Sequence, residues 1–216
     1  FLSTVSHELR TPLTSILGFA KIIQKQFKRN IIPNLHTEES KSKKAQKTIQ
    51  TNLGIITEES NRLARLINDV LDLAKIESGK MNWNIKSVDV SELFDRAIKS
   101  MAGITANDDV EITLRNDFET SASIMGDEDR IFQVITNLLS NAIKFTKEGV
   151  IVCSVQVKDD YIQCFVKDCG SGIAEQDLVR IFDKFQQAGD TLTEKPQGTG
   201  LGLPICKEII ECNRLL

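Results

Sequence analysis

The sequence predicts a chain of two unlike parts, an all-α antiparallel helical hairpin followed by an α/β sandwich. Three observations carry this. Early apolar residues recur at helical spacing with no strand-like alternation. From about Met81, alternating apolar runs appear between helical segments. The 216 residues are 41% hydrophobic and 26% charged, with a formal net charge of −3, ordinary usage for one large or two small folded domains.

In the first part, Leu2, Leu9, Ile16 and Ile23 recur every seven residues, with Val5, Leu13, Ala20 and Phe27 beside them. A second run places Ile49, Ile56, Leu63 and Val70 at the same period, flanked by Leu53, Leu66, Ile67, Leu73 and Ala74. A repeat of seven makes a narrow apolar seam suited to helix-on-helix packing. Two helices alone bury too little, so a second copy is expected to complete a four-helix bundle, giving a homodimer. The alternative packs the seams on the rest of the same chain. Residues 30–42 separate the helices, with Pro33 and few hydrophobics. Residues 21–47 carry eight Lys or Arg against two Glu. No aromatic interleaving or groove-reading motif accompanies that charge, so the tip reads as a solvated helix end and no nucleic-acid partner is expected.

Ser78-Gly79-Lys80 marks the joint. The expected boundaries are a hairpin over 1–78, a hinge over 79–81 and a second domain over 82–216. There, Val110, Ile112 and Leu114 alternate, as do Val150 and Val152, and Ile162, Cys164 and Val166, with Lys158-Asp159-Asp160 as the hairpin turn between the last two runs. Helices are expected over 91–104, 127–145, 175–181 and 200–210, on one face of the sheet. The five cysteines, at 153, 164, 169, 206 and 212, lack zinc-ligand spacing. They read as reduced thiols of a cytoplasmic domain, Cys153 and Cys164 buried; redox sensing at Cys169 is the alternative. No uncharged apolar run approaches the ~20 residues that span a bilayer, and no signal-peptide pattern opens the chain, so this stretch is expected to be soluble.

Four blocks carry chemistry. In Ser6-His7-Glu8-Leu9-Arg10-Thr11-Pro12-Leu13, steps of seven from His7 reach Thr14 and Lys21, a polar stripe off the seam. An imidazole titrating near ~6.5 offers an unprotonated nitrogen as nucleophile at neutral pH. Glu8 can accept its ring proton, Thr11 shares its face, and Pro12 is expected to kink the helix. In Asn137–Phe145, Asn137, Asn141 and Lys144 fall on one helical stripe. Amide oxygens suit Mg²⁺ and an ammonium suits phosphate. Asp168-Cys169-Gly170-Ser171-Gly172-Ile173 ends a strand. Its glycines permit close backbone approach, and its Asp can accept from an exocyclic amine. Gly198-Thr199-Gly200-Leu201-Gly202-Leu203 precedes a helix whose loose N-terminal amides favour an anion. Neither a Walker nor a dinucleotide pattern is present. Between the glycine turns lie Phe182-Asp183-Lys184-Phe185 and an aperiodic polar stretch, Gln186–Gln197, that reads as a lid.

In this order the blocks resemble those of the sensor histidine kinases of two-component signalling. Ser6–Leu13 is similar to their phospho-acceptor H box, Asn137–Phe145 to the N box, Asp168–Ile173 to the G1 box, Phe182–Phe185 to the F box and Gly198–Leu203 to the G2 box. The resemblance implies a dimeric hairpin followed by a Bergerat-type ATP-binding sandwich. It implies His7 as phospho-acceptor, Glu8 as base, and Thr11 positioning water for phosphatase action. ATP and Mg²⁺ are the implied cofactors, with Asn141 and Asn137 at the metal, Lys144 at phosphates, Phe145 near the nucleotide and Asp168 at adenine. Gly170, Gly172 and Ile173 would shape the floor; Phe182, Lys184 and Phe185 would flank it. Gly198, Thr199, Gly200, Leu201, Gly202 and Leu203 would cradle phosphates. The implied partner is a response-regulator receiver domain, and the implied setting is the cytoplasmic portion of an inner-membrane-anchored sensor.

Related ATPases place a Glu where Asn137 stands. An amide cannot act as a base, so rapid hydrolysis is not expected. Cys169 replaces a common Asn of the G1 box, with little consequence expected. After Ile210 the family usually adds two strands, so a shortened sheet with an exposed edge is expected. A dimeric scaffold with degenerate nucleotide binding and a Bergerat-type ATPase are the rival functions.

Overall fold

The computed structural model describes residues 2–32, 40–105, 110–116, 122–186 and 199–213. Side chains 2–12, 30, 40–42, 102–105, 116 and 213 lie outside that description. The chain divides into two compact units, Phe1–Lys75 with Gln197–Thr199, and Ile76–Pro196 with Gly200–Leu216.

The first unit holds α1 (Leu2–Gln26), which runs on into a π-helical turn at Phe27–Ile31, and most of α2 (Ser40–Glu77). The two helices share a groove lined by Leu13 and Thr14 of α1 and Ala64, Ile67 and Asn68 of α2. α1 is unbroken through Pro12. The expected seam is resolved into two faces. Leu13, Ala20 and Phe27, seven apart, are buried, as are Leu53 and Ser60 on α2. Ile16, Phe19, Ile22 and Ile23 of α1 and Ile49, Ile55, Ile56 and Leu63 of α2 are instead 42–66% exposed. A helix pair closes one seam against itself and has no surface left to cover the second.

The second unit comprises β1 (Ile85–Asp89), α3 (Val90–Thr105), β2 (Val110–Asn116), β3 (Ser123–Asp127), α4 (Glu128–Phe145), β4 (Gly149–Val157), β5 (Ile162–Lys167), α5 (Glu175–Leu178) and α6 (Gly202–Asn213), after the last two residues of α2. Strands β2, β4 and β5 form one sheet in that order; β2 is parallel to β4 and β5 antiparallel to it. The β4–β5 hairpin turns where expected, with the Lys158 N–H donating to the Tyr161 carbonyl at 2.9 Å. β1 and β3 form a separate antiparallel pair that the sequence pattern did not indicate. The 175–181 helix is shorter than expected, only the four residues of α5.

Period two sets the core. Ile151, Cys153 and Val155 of β4 are fully buried against Phe94 and Ala97 of α3 and Leu139 of α4, in one cluster. Each such aliphatic or aromatic side chain contributes roughly 1.5–3 kcal/mol. Burial pushes the Cys153 thiol up to about 11, leaving it neutral. Cys164, expected inside, is exposed, because β5 is the sheet's edge. Asp127 aims α4. Its Oδ1 accepts from the N–H groups of Asp129 (3.1 Å) and Arg130 (3.2 Å), while Oδ2 accepts from Asn84 N–H (2.8 Å). Among the described residues, no helix is long and apolar enough to cross a membrane.

Candidate functional site

α4 is the axis of the site. Asn137, Asn141 and Phe145 stand at successive turns of its polar side, so the stripe is about 12 Å long at 1.5 Å per residue. That is the scale of a purine nucleoside triphosphate. Asn137 and Asn141 are half-buried, and Lys144 is exposed with its Nζ 4.4 Å from the centre of the Phe145 ring. That contact holds the ammonium and the aromatic face together at one end of the stripe.

The glycine turn after β5 closes on that same end. Gly170 N–H donates to Asp168 Oδ1 at 2.9 Å. A Cβ at Gly170 would fall 2.5 Å from the Phe145 carbonyl oxygen, so only glycine lets this turn seat on the C-terminus of α4. Asp168 is exposed, and its second carboxylate oxygen is a candidate acceptor for a base amine. Cys169 reaches across to β4, its Sγ 3.3 Å from the Glu148 carbonyl oxygen and 3.7 Å from that of Val150. Gly172 and Ile173 follow in the same turn, Ile173 exposed.

The other glycine block meets the opposite end. A Cβ at Gly202, the first residue of α6, would lie 3.7–3.9 Å from the carboxamide atoms of Asn137. Leu201 is fully buried and pins the turn, while Leu203 is half-buried. Phe185 N–H donates to the Gly200 carbonyl at 3.0 Å, joining the F-box segment to the second glycine turn. Gly200 has φ +69°, and a Cβ on it would meet Phe185 backbone at 2.8 Å; Phe185 itself sits at φ 63°. Phe182 and Phe185 are exposed. Lys184 forms an ion pair with Glu77, and that carboxylate holds its ammonium above the usual lysine range. Thr199 falls in the first unit, where its hydroxyl donates to Asp69 at 3.0 Å. Gly198 lies outside the described residues, as do the side chains of His7, Glu8 and Thr11, which stand on α1. Thr14 and Lys21, on the stripe expected for His7, are exposed.

The donor set fits a magnesium nucleotide. Among the described residues, no group of three or more His, Cys, Asp or Glu could hold a metal ion. Two amide oxygens on one helical stripe, one of them beside the glycine turn that opens α6, suit a hard cation that takes its other ligands from phosphates and water. One participant escaped the sequence reading. Cys206, one turn after Gly202 on the same face of α6, accepts a hydrogen bond from Asn137 Nδ2 at 3.6 Å. The i, i+4 spacing from a motif glycine was its only signal.

Comparison with known proteins agrees with this layout. Residues 1–79 match the family model of the His Kinase A (phospho-acceptor) domain. Residues 126–214 match that of the histidine kinase-, DNA gyrase B- and HSP90-like ATPases. The sensor protein GacS of Pseudomonas syringae pv. syringae is 34% identical over 216 residues, spanning 98% of this chain and 22% of its own length. The sensor histidine kinase RcsC of Escherichia coli K12 is 34% identical over 210 residues, covering 97% of this chain and 20% of its own. The chain thus spans about a fifth of these relatives. Among solved structures, full-length ShkA in complex with AMPPNP covers 96% of this chain and 40% of its own at 26% identity, with a TM-score of 0.71. The catalytic domain of the histidine kinase ThkA covers 62% of this chain and 82% of its own at 29% identity, with a TM-score of 0.53. With a phospho-acceptor domain followed by this ATPase domain, the chain belongs to the sensor histidine kinases, as a catalytic core of that family.

Proposed function

We propose that this core binds Mg-ATP along α4, transfers the γ-phosphoryl group to His7, and passes it to an aspartate of a response-regulator receiver domain. The observation that carries the reading is the meeting of two separate sequence blocks on one helix, Asp168 and Gly170 at the Phe145 end and Gly202 at Asn137, with a third block joined to the second through the Phe185–Gly200 hydrogen bond. Asp168 accepts from the adenine amine, Ile173 and Phe145 contact the base, and Lys144 meets the phosphates. The amides at Gly198–Leu203 cradle the phosphates, with Phe182, Lys184 and Phe185 at the rim. The AMPPNP bound in full-length ShkA supports a nucleotide of this kind. Bound Mg²⁺, held through the Asn141 and Asn137 oxygens, would neutralise phosphate charge.

A His7 ring nitrogen attacks the γ-phosphorus, the bond to the ADP oxygen breaks, and Glu8 takes the ring proton. Thr11 positions water when the same core removes phosphate from its partner. Asn137 offers no base for direct hydrolysis, which favours transfer over ATPase turnover. The uncovered apolar stripe of α1 and α2 supports a homodimer, since a second hairpin would cover it. The sensor proteins among the relatives, about five times the length of this chain, support a core that serves a longer sensor, which we place at the membrane with this core on the cytoplasmic side.

The test is labelling with γ-labelled ATP. Acid-labile, base-stable protein label is expected, and its disappearance in His7→Gln. Label persisting in that variant removes His7 as acceptor. Nucleotide binding without any label leaves a scaffold, and steady phosphate release without label leaves an ATPase.

A further inference from the structure

We propose that Cys206 is a positioning residue for the phosphate end of the site, setting which end of the Asn137 carboxamide faces the nucleotide. This rests on the reading of α4 as the Mg-ATP face. Cys206 is 5% exposed on α6. Its Sγ accepts from Asn137 Nδ2 at 3.6 Å and donates toward the Val134 carbonyl oxygen at 3.9 Å. With the thiol hydrogen turned to Val134, the sulfur presents lone pairs to Asn137. A carboxamide flipped by 180° would set its oxygen against those lone pairs unless the thiol hydrogen left Val134 for it, giving up that contact. The amide therefore gives its NH₂ to the sulfur and keeps Oδ1 for a ligand. Gly202 lies beside the amide, where an added Cβ would stand 3.7–3.9 Å from its atoms.

The orientation matters because a hard divalent cation is bound by oxygen, never by an amide NH₂. In solution the two ends of a carboxamide interchange by simple rotation, so an unguided Asn137 would present the wrong end for part of the time. Cys206 removes that alternative before nucleotide arrives. Sulfur is a weak acceptor, so the effect belongs at the low end of hydrogen-bond contributions, about threefold in affinity.

The experiment compares the chain with Cys206→Val, which keeps an apolar side chain and removes the acceptor, and Cys206→Ser, which keeps donor and acceptor. Affinity for AMPPNP is measured by calorimetry with Mg²⁺ and again in EDTA. The side-chain amide signals of Asn137 are recorded by NMR without nucleotide. Cys206→Val should lose about threefold with Mg²⁺ and nothing in EDTA, its Asn137 amide signals should shift, and Cys206→Ser should restore both. Equal weakening in the two media would show mere packing loss and overturn the proposal. So would a Ser variant that behaves like Val, or amide signals that stay in place. If the Val variant does not fold, Cys206→Ala is read by the same criteria. A parent chain whose affinity ignores Mg²⁺ overturns the metal reading instead, while the amide signals still decide the Cys206–Asn137 contact.

Discussion

Gly170 shows how little room the base end of the site leaves. The atom that an added Cβ would strike is a backbone carbonyl at the end of α4, which cannot swing aside as a side chain can. Gly170→Ala should therefore cost about 1–3 kcal/mol of stability as an overpacked contact, read as a fall in melting temperature, with loss of AMPPNP binding by calorimetry. Unchanged stability and affinity would mean the turn seats elsewhere. That a glycine stood here was legible from the sequence; what it stood against was not, since Phe145 and Gly170 are joined only by the fold. Phe185 is the reverse case. Nothing in its side chain announces a φ of 63°, a region glycine normally occupies, and it holds that conformation where its N–H meets Gly200. The Asn137 partner at Cys206 was hidden for the same reason, 69 residues away in a helix that reads as plain core.

Long elements were legible because their periods repeat. α2 could be read from seven-residue spacing, and α4 from the helical stripe of Asn137, Asn141 and Lys144. β1 and β3 were not, because each has five residues and turns only one or two fully inward, too few to establish alternation. The π-helical turn at Phe27–Ile31 likewise carries no glycine or proline to mark it. α2 also contains an electrostatic cost. Burial pushes the Asp69 carboxyl up, Asp72 adds to this, and the Thr199 hydroxyl and Arg65 oppose it. A carboxyl raised in the folded state binds protons there more tightly than in the unfolded chain, so stability falls as pH rises through its titration. Asp69→Asn keeps an acceptor and removes the charge. Its melting temperature should exceed the parent's at pH 7, and the gain should vanish near pH 4. A gain that persists at low pH would trace to something other than ionisation.

For the whole molecule, the apolar surface that keeps a helical repeat and yet stays uncovered lies on the hairpin. Ile16 and Ile23, and Ile49, Ile56 and Leu63, keep the seven-residue period yet remain exposed. A single Ile56→Glu substitution should weaken self-association about 30-fold or more, the scale of a central interface position, seen as monomer by light scattering at concentrations where the parent is dimeric. A variant that stays dimeric would place the interface on another face. Asking for a second copy was possible from the heptads; saying which heptad residues one chain leaves uncovered required the structure, because both faces carry the same residue types. In the second unit, the Phe185–Gly200 hydrogen bond draws together two points of the backbone that are distant in sequence. Whatever length of polypeptide separates them is tethered at its root, and doubling a tethered loop costs only about 0.6 kcal/mol in closure entropy. Insertions between those anchor points that keep Gly198 and Thr199 in sequence should therefore cost little in closure entropy, which makes the span a natural port for engineering new control into the enzyme.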